Sequence, residues 1–378
     1  MRPRRFREYS HSVHGLESIW CDSFIIDSGI HLRLIFPPSI IDRNGRGDRD
    51  VCPLSFGSET CGFWREPTCV SPSTVCLSWW KMPELPEVEI IVRDLRPKII
   101  GRSIVGIQTD WPKYFIFPSS EARFRTCVMG KAITAVDRRG KNILISLMGD
   151  YLLLIHQKIS GRLMVGNWER RPENEAGGTP HSLWQPISCP QGPLAPRGRF
   201  IHLLFDLDDG RQLGLSDLRK FAKALCGKRE VILNRPEIRQ LGPEPLDPQF
   251  TLAKFKQLFA GRKGRIKQML MNPNFIAGIG NIYSDEILYA AGIHPLSLLA
   301  NLQDRQLKAL YGSIKKVLKK AVRMRGTGME GGTAGAEQGY DKIRMVYQRK
   351  ECPRGHQIQR IRIGGRSARF CPVEQTLF

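Results

Sequence analysis

The stretch Met82-Pro83-Glu84-Leu85-Pro86-Glu87-Val88-Glu89-Ile90-Ile91-Val92-Arg93-Asp94-Leu95 decides how the rest of this 378-residue chain is read. Pro86 stands where a first helical turn tolerates a missing amide hydrogen. Glu87 and Glu89 sit at the positive end of the helix dipole, and apolar residues then recur at helical spacing. Upstream, residues 1–81 mix Pro, Gly, Ser, Arg and scattered Trp and Cys with no sustained period of 2 or 3.6 residues. They read as a disordered extension or as sequence ahead of a misplaced start, and a different kind of protein opens at Met82.

The formal charge of +22 divides unevenly about this point. Residues 1–81 hold ten Lys/Arg and nine Asp/Glu, so residues 82–378 carry 48 basic against 27 acidic side chains, a net of +21. Such an excess suits a phosphate-backbone partner, because each phosphate neutralised releases counterions and adds sequence-independent affinity. The most apolar early run, Phe24 to Ile41, is broken by Asp27, His31, Arg33 and Pro37-Pro38, which argues against a membrane span. With no secretory signal pattern, the ten cysteines are not expected to form a disulfide framework, and a cytoplasmic location is expected.

Beyond the opening helix, short β-rich runs (Ile104–Ile107, Ala132–Asp137, Asn142–Leu147, Tyr151–Ile155 and Phe200–Asp206) are separated by turn signals such as Arg139-Gly140-Lys141 and Asp208-Asp209-Gly210. They predict an antiparallel sandwich or barrel. Asn167 to Arg199, rich in Pro, Gly and polar residues, reads as a long mobile loop, and Leu241-Gly242-Pro243-Glu244-Pro245-Leu246 as a linker. The period then turns helical over Leu252–Phe259, Ile266–Met271, Ile282–Ala291 and Asp304–Val322. Gly326 to Gly339 holds six glycines in fourteen residues, suited to a loop that closes over a ligand. The expected fold class is α+β multidomain: an extension (1–81), an antiparallel β-sandwich domain with flanking helices (82–235), a helical domain (241–325), a flexible capping loop (326–345) and a β-ribbon (346–378).

Read alone, Pro-Glu-Leu-Pro-Glu is a helix-start turn, Lys141 a hairpin charge and Phe221 a core residue. Taken together with Arg138-Arg139-Gly140-Lys141, His156 to Gly161, His202 to Gly210, Asp217 to Phe221, Gly278-Ile279-Gly280-Asn281-Ile282-Tyr283, Ala291-Gly292-Ile293-His294-Pro295 and Gly364-Gly365-Arg366-Ser367, the segment resembles the formamidopyrimidine-DNA glycosylase family. The pieces keep their order over about three hundred residues. The resemblance implies a DNA-repair enzyme, acting as a monomer on damaged double-stranded DNA. It would release oxidised purines such as 8-oxoguanine and formamidopyrimidines and then cleave the abasic site by β,δ-elimination.

The family's nucleophile falls on Pro83: a mature amino-terminal proline is a secondary amine that can attack the sugar C1′ and form an iminium. In the chain as written that nitrogen is an ordinary amide, so the chemistry is expected only where residues 1–82 are absent from the mature protein. The resemblance assigns Glu84 as the acid at the sugar, Glu87 to the lesion nucleotide, Lys141 as the proton donor of β-elimination and Arg366 to δ-elimination and phosphate grip. A flipped-out base leaves a void, which Ile159, Arg219 and Phe221 would fill. Ile159 stands where a methionine is usual, and Lys158 and Lys220 are added cations. His202, Lys263 and Asn281 fall on DNA-contact positions of the helix-two-turn-helix arrangement and its surroundings.

The family's tail closes a zinc site with two C-x2-C pairs. Here Cys352 is followed at that spacing by Gly355 with His356 next, and Cys371 by Glu374. One structural zinc on Cys352, His356, Cys371 and Glu374 is the expectation, since zinc accepts imidazole and carboxylate. Rival readings are an endonuclease VIII-like enzyme for oxidised pyrimidines, a DNA-binding protein that has lost the chemistry, and a zinc-dependent regulator.

Overall fold

The computed structural model describes residues 82–170, 184–188, 200–326 and 339–378. The expected extension over 1–81, most of the expected 167–199 loop and the body of the glycine-rich 326–345 segment lie outside the described residues.

Helix α1 (Leu85–Ile99) leads into β1 (Ile104–Thr109), β2 (Phe115–Phe117), α2 (Glu121–Val128), β3 (Ile133–Arg139), β4 (Asn142–Leu147), β5 (Tyr151–His156), β6 (Gly161–Arg170), β7 (Trp184–Ser188), β8 (Ile201–Leu207), β9 (Gln212–Asp217) and β10 (Lys223–Lys228). The strands form two five-stranded sheets, ordered β1-β8-β9-β6-β7 and β2-β10-β5-β4-β3. Between them lies an apolar core that includes Ile143, Ile145, Leu153, Ile155, Leu203, Phe205, Leu213 and Leu215, alternate positions along each strand as a two-period pleat demands. Pairing is antiparallel, as the turn signals predict, with one exception: the short β2 lies parallel to β10.

The expected 167–199 loop needs correction at two places. Strand β6 runs on to Arg170 and pairs with β7. Trp168 and Trp184 explain why, since both are buried with Ile201 and Leu204 in a separate apolar cluster that the surrounding Pro and Gly hide from a periodicity search.

Short helices α3 (Arg229–Leu233) and α4 (Pro236–Arg239) cover the outer face of the second sheet through Ile232 and Ile238. The helical part comprises α5 (Leu252–Phe259), α6 (Ile266–Met271), α7 (Asn281–Ala290), α8 (Asp304–Arg323) and the single turn α9 (Gly339–Lys342), followed by the hairpin β11 (Gln359–Ile363) and β12 (Arg366–Phe370). Its core is separate and includes Phe255, Leu270, Tyr283, Ile287, Leu310, Ile314 and Leu318. Helix α1 belongs to both cores: Leu85 packs in the helical one, Val88, Ile91 and Val92 in the sandwich. Among the described residues no helix is long and apolar enough to cross a membrane.

A buried ion pair joins the hairpin to the helices. Lys267 on α6 donates to Asp285 on α7, with the two side chains 1% and 0% exposed, and the second oxygen of Asp285 accepts the amide of Arg369 on β12 at 3.2 Å. Asp285→Asn would leave a buried ammonium without its counter-charge and should cost about 3–5 kcal/mol of stability. Urea denaturation checks this, and an unchanged midpoint would show that the pair contributes nothing.

Candidate active site

The first turn of α1 meets the first turn of α7 across the two domains. The carboxylate of Glu84, 3% exposed, accepts the amides of Gly280 (2.7 Å), Ile282 (2.8 Å) and Tyr283 (3.3 Å), so it caps α7, where unpaired amides and the helix dipole favour an anion. Its own backbone amide donates to Glu87 at 3.0 Å, and Leu85 donates to the Gly278 carbonyl at 3.0 Å. The glycines are dictated by this approach. Gly278 has φ 87°, and a Cβ there would lie 2.7 Å from that of Leu85. A Cβ on Gly280 would lie 2.4 Å from the Glu84 carboxyl carbon and 2.7 Å from Lys141 Nζ.

Lys141 therefore stands beside Glu84. Burial pushes the Glu84 carboxyl above its ordinary value; Lys141 opposes that rise, Glu87 adds to it, and the amides of Ile282 and Tyr283 oppose it. Burial likewise lowers Lys141, with Glu84 and Glu87 holding it up and Arg366 pushing it further down. Two acids and two cations thus converge, with Pro83 buried immediately ahead of Glu84. Glu87 also accepts the Tyr283 hydroxyl at 2.5 Å, and a Cβ on Gly326 would lie 2.8 Å from its carboxylate. Arg366 is exposed just past the Gly364-Gly365 turn, where both glycines have positive φ (54° and 75°).

Two positioning residues escape a sequence reading. Glu244, in the expected linker, accepts from Gly140 N (2.5 Å), Arg138 Nη1 (2.7 Å) and Arg139 Nη1 (3.1 Å), while Arg138 Nε also reaches Glu89 at 3.1 Å. The hairpin carrying Lys141 is thereby locked onto the linker. Two adjacent arginines before a tight turn were the available signal, since half-buried guanidinium groups require carboxylates nearby.

The three residues expected to fill the void lie on two turns joined by one acid. Ser160 donates to Asp217, the Arg219 amide donates to Ser160 Oγ at 3.0 Å, and the Ala222 amide donates to Asp217 at 2.8 Å. Ile159 is half-buried on the first turn, and Arg219 and Phe221 are exposed on the second. Phe221 is 49% exposed, not a core residue, and the Arg219 guanidinium lies 4.7 Å from its ring centroid. His202 is placed otherwise: it is 1% exposed, with Nδ1 at 2.8 Å from Asp110. Lys263 is exposed ahead of α6, and Asn281 opens α7 with Nδ2 at 3.5 Å from Ser367 Oγ.

At the tail, ligand atoms of Cys352, His356 and Cys371 lie within 4.8 Å of one another. Glu374 lies outside that group: one oxygen is 3.4 Å from His356 Nδ1 while the other is 3.0 Å from Arg354. Two thiols and an imidazole form a donor set that suits a zinc-like ion.

The family model described as the formamidopyrimidine-DNA glycosylase N-terminal domain matches residues 82–224, and the H2TH domain of the same family matches 241–332. The formamidopyrimidine-DNA glycosylase of Pelotomaculum thermopropionicum is 35% identical over 299 residues, covering 78% of this chain and 99% of that protein. That of Chloroflexus aggregans is 37% identical over 302 residues, with 78% and 99% covered. Among solved structures, the complex of Lactococcus lactis Fpg with abasic-site DNA has a TM-score of 0.64 at 27% identity, covering 78% of this chain and 99% of that one. A complex of the same protein with Fapy-dG DNA gives 0.65 at 28%, covering 78% and 100%. A sandwich and a helix-two-turn-helix domain sharing one buried carboxylate thus define a DNA glycosylase of base repair. The chain belongs to the formamidopyrimidine-DNA glycosylase family.

Gly280→Ala should detach Glu84 from α7, because the Glu84 carboxyl carbon, 2.4 Å from the new Cβ, is the end of a flexible side chain and is the group that must move away. A stability loss of about 1–3 kcal/mol by urea denaturation is expected; retention of wild-type stability would mean that the two helix starts are not coupled as described.

Proposed function

We propose that this enzyme removes oxidised purines, 8-oxoguanine and formamidopyrimidines opposite cytosine, from double-stranded DNA and then cuts the abasic site by β,δ-elimination. The observation that carries the reading is the convergence of Glu84, Glu87, Lys141 and Arg366 beside Pro83. In a chain beginning at Pro83, the amine would attack C1′ as the N-glycosidic bond breaks and its electrons leave with the base. Glu84, its carboxyl raised by burial, would deliver a proton to the sugar ring oxygen O4′ as the C1′–O4′ bond opens, and the resulting iminium makes the C2′ proton acidic enough for elimination of the 3′ phosphate. Lys141 serves the proton transfer of that step. Arg366, at the ribbon turn, serves the second elimination and grips phosphate. Exposed Phe221 and Arg219, with Ile159, fill the void, and Lys263 and Asn281 contact the backbone; His202, 1% exposed, is held by Asp110 through Nδ1, which leaves Nε2 as the atom it could offer to DNA.

The same reading makes the protein a monomer acting on DNA in a bacterial cytoplasm. Oxidised pyrimidines are the competing substrate class, and a relevant observation is that one Lactococcus lactis Fpg structure holds DNA with an oxidised pyrimidine.

Borohydride trapping of a Met82-initiated protein on 8-oxoguanine duplex tests the chemistry. A covalent adduct is expected, lost in the chain that retains residues 1–82, where residue 83 has no free amine; an adduct formed equally by that longer chain would overturn the assignment. Running an oxidised-pyrimidine duplex alongside decides the lesion class, the faster substrate naming it.

Cys352, His356 and Cys371 would hold one structural zinc, with Glu374 leaving Arg354 to complete four ligands. Bound there, zinc would cross-link the base of the ribbon that carries Arg366. Elemental analysis of the purified chain should find about one zinc per protein, lost in Cys371→Ala; a metal-free protein with a folded ribbon would refute the site.

A further inference from the structure

Two thiols of the sandwich take no part in the chemistry proposed above. Cys226 lies on β10, where the two-residue pleat turns Ala224 and Cys226 into the core between the sheets and Leu225 to the outer face. Cys127 lies on α2, one turn after Phe124, and packs against the same core while remaining partly exposed. Helix α2 is held there by Phe124, whose ring stacks on Phe115 of β2 with centroids 4.2 Å apart, and β2 pairs with β10. The thiol of Cys127 consequently meets that of Cys226. Lys131, just past α2, keeps an ammonium beside the pair: its Nζ is 3.3 Å from the Thr126 carbonyl oxygen and 4.5 Å from the centroid of the Tyr151 ring. Burial pushes the Cys226 thiol well above its ordinary value, Cys127 adds to the rise, and Lys131 opposes it. Among the described residues the other two cysteines, Cys352 and Cys371, lie together on the ribbon.

A buried thiol that stays protonated does not attack first, whereas its partly exposed neighbour is within reach of a dissolved oxidant. We propose that Cys127 and Cys226 are an oxidisable pair, closed to a disulfide by hydrogen peroxide, that cross-links α2 to β10. The Cys127 sulfur attacks one oxygen of the peroxide and the O–O bond breaks, leaving a sulfenic acid on Cys127 and one water. The Cys226 sulfur then attacks the Cys127 sulfur, the S–S bond forms, and the hydroxyl leaves with the Cys226 proton as a second water. Two thiols are oxidised and one peroxide is reduced to two waters. Lys131 favours both steps, since a cation beside sulfur stabilises the thiolate. The bridge closes a loop of about one hundred residues that holds β3 to β9, so it restricts the unfolded chain far more than the folded one. Neither sulfur belongs to the set around Glu84, so the bridge stabilises the sandwich without occupying the site.

The test treats the purified full chain with hydrogen peroxide, blocks the remaining thiols with iodoacetamide and digests with trypsin. Cleavage after Arg125, Lys131, Lys223 and Lys228 leaves peptides 126–131 and 224–228, each with a single cysteine. Mass spectrometry should find these two joined and two hydrogens lighter than their sum, and dithiothreitol should separate them. The melting temperature followed by circular dichroism should rise by about 5–10 °C on oxidation and fall back on reduction. Cys127→Ser changes one atom at a partly exposed position, so the chain still folds, yet the joined peptide and the rise should both disappear. Recovery of 126–131 and 224–228 as separate alkylated peptides from a folded, peroxide-treated chain overturns the pair, and so does Cys127 joined to any other cysteine. A joined pair with an unchanged melting temperature overturns the cross-link between α2 and β10 as a brace of the sandwich.

Discussion

Everything in the site is referred to one buried carboxylate, that of Glu84, set against the amino end of α7. Burying a carboxylate alone is costly, and three amides of another domain meet that cost, each charge-assisted bond contributing about 1.5–3 kcal/mol. The bond acts along the chain as well as across it. Leu85, next in sequence, packs into the helical core while the following turns of α1 pack into the sandwich, so the angle between the domains is set where the reactive residues lie. Gly278 and Gly280 follow as necessities, since any side chain there would occupy the space of Leu85, Glu84 or Lys141.

The same economy runs through the other acids. Glu84, Glu87, Asp217, Asp285 and Glu286 are buried, whereas the buried Lys and Arg are only Lys267 and Arg162 among the described residues. Each inward acid pins a segment: Asp217 the turns that carry Ile159, Arg219 and Phe221, Asp285 the ribbon, and Glu286 the amides of Met345, Val346 and Tyr347 at 2.8, 2.9 and 2.8 Å. Withdrawing carboxylates from the surface leaves that surface more cationic than the net charge suggests. Fold stability and a field suited to polyanions therefore arise from one distribution of residues.

What could be read from the sequence follows from how local the cause is. Strands β3, β4, β5 and β8 are short runs rich in β-branched and apolar residues between turn signals, and α8 is a regular amphipathic period, so both were legible. Strand β9 was missed because Gly214 interrupts it, and that glycine exists for a long-range reason: a Cβ there would lie 3.1 Å from the Trp168 ring. Strand β7, with Pro186 inside, was hidden for the same kind of reason, since only its partner Trp168 makes Trp184 a buried residue. In the site, Glu84, Lys141 and Arg366 came from resemblance, while Glu244 and Glu89 were invisible because their role lies in contacts about a hundred and about fifty residues away in sequence. Phe221 ran the other way. An aromatic beside β10 reads as core by composition, and only its 49% exposure shows that it is not.

The arrangement also separates geometry from reactivity. Among the described residues, the hydrogen bonds that place the start of α1 lie at or beyond Glu84: its carboxylate on α7, its amide on Glu87, and the amide of Leu85 on Gly278. None involves the nitrogen of Pro83, which proline could not offer as a donor within a chain. The site can therefore be assembled whether that nitrogen is an amide or an amine. In the first state its lone pair is delocalised into a carbonyl, and in the second it is available to a sugar carbon. In the proposed mechanism, binding and void filling are thus properties of the fold, whereas covalent catalysis hangs on a single peptide bond at residue 83. On that proposal, a chain that retains residues 1–82 keeps Phe221 and Arg219 exposed on their turn but lacks the amine with which the reaction begins.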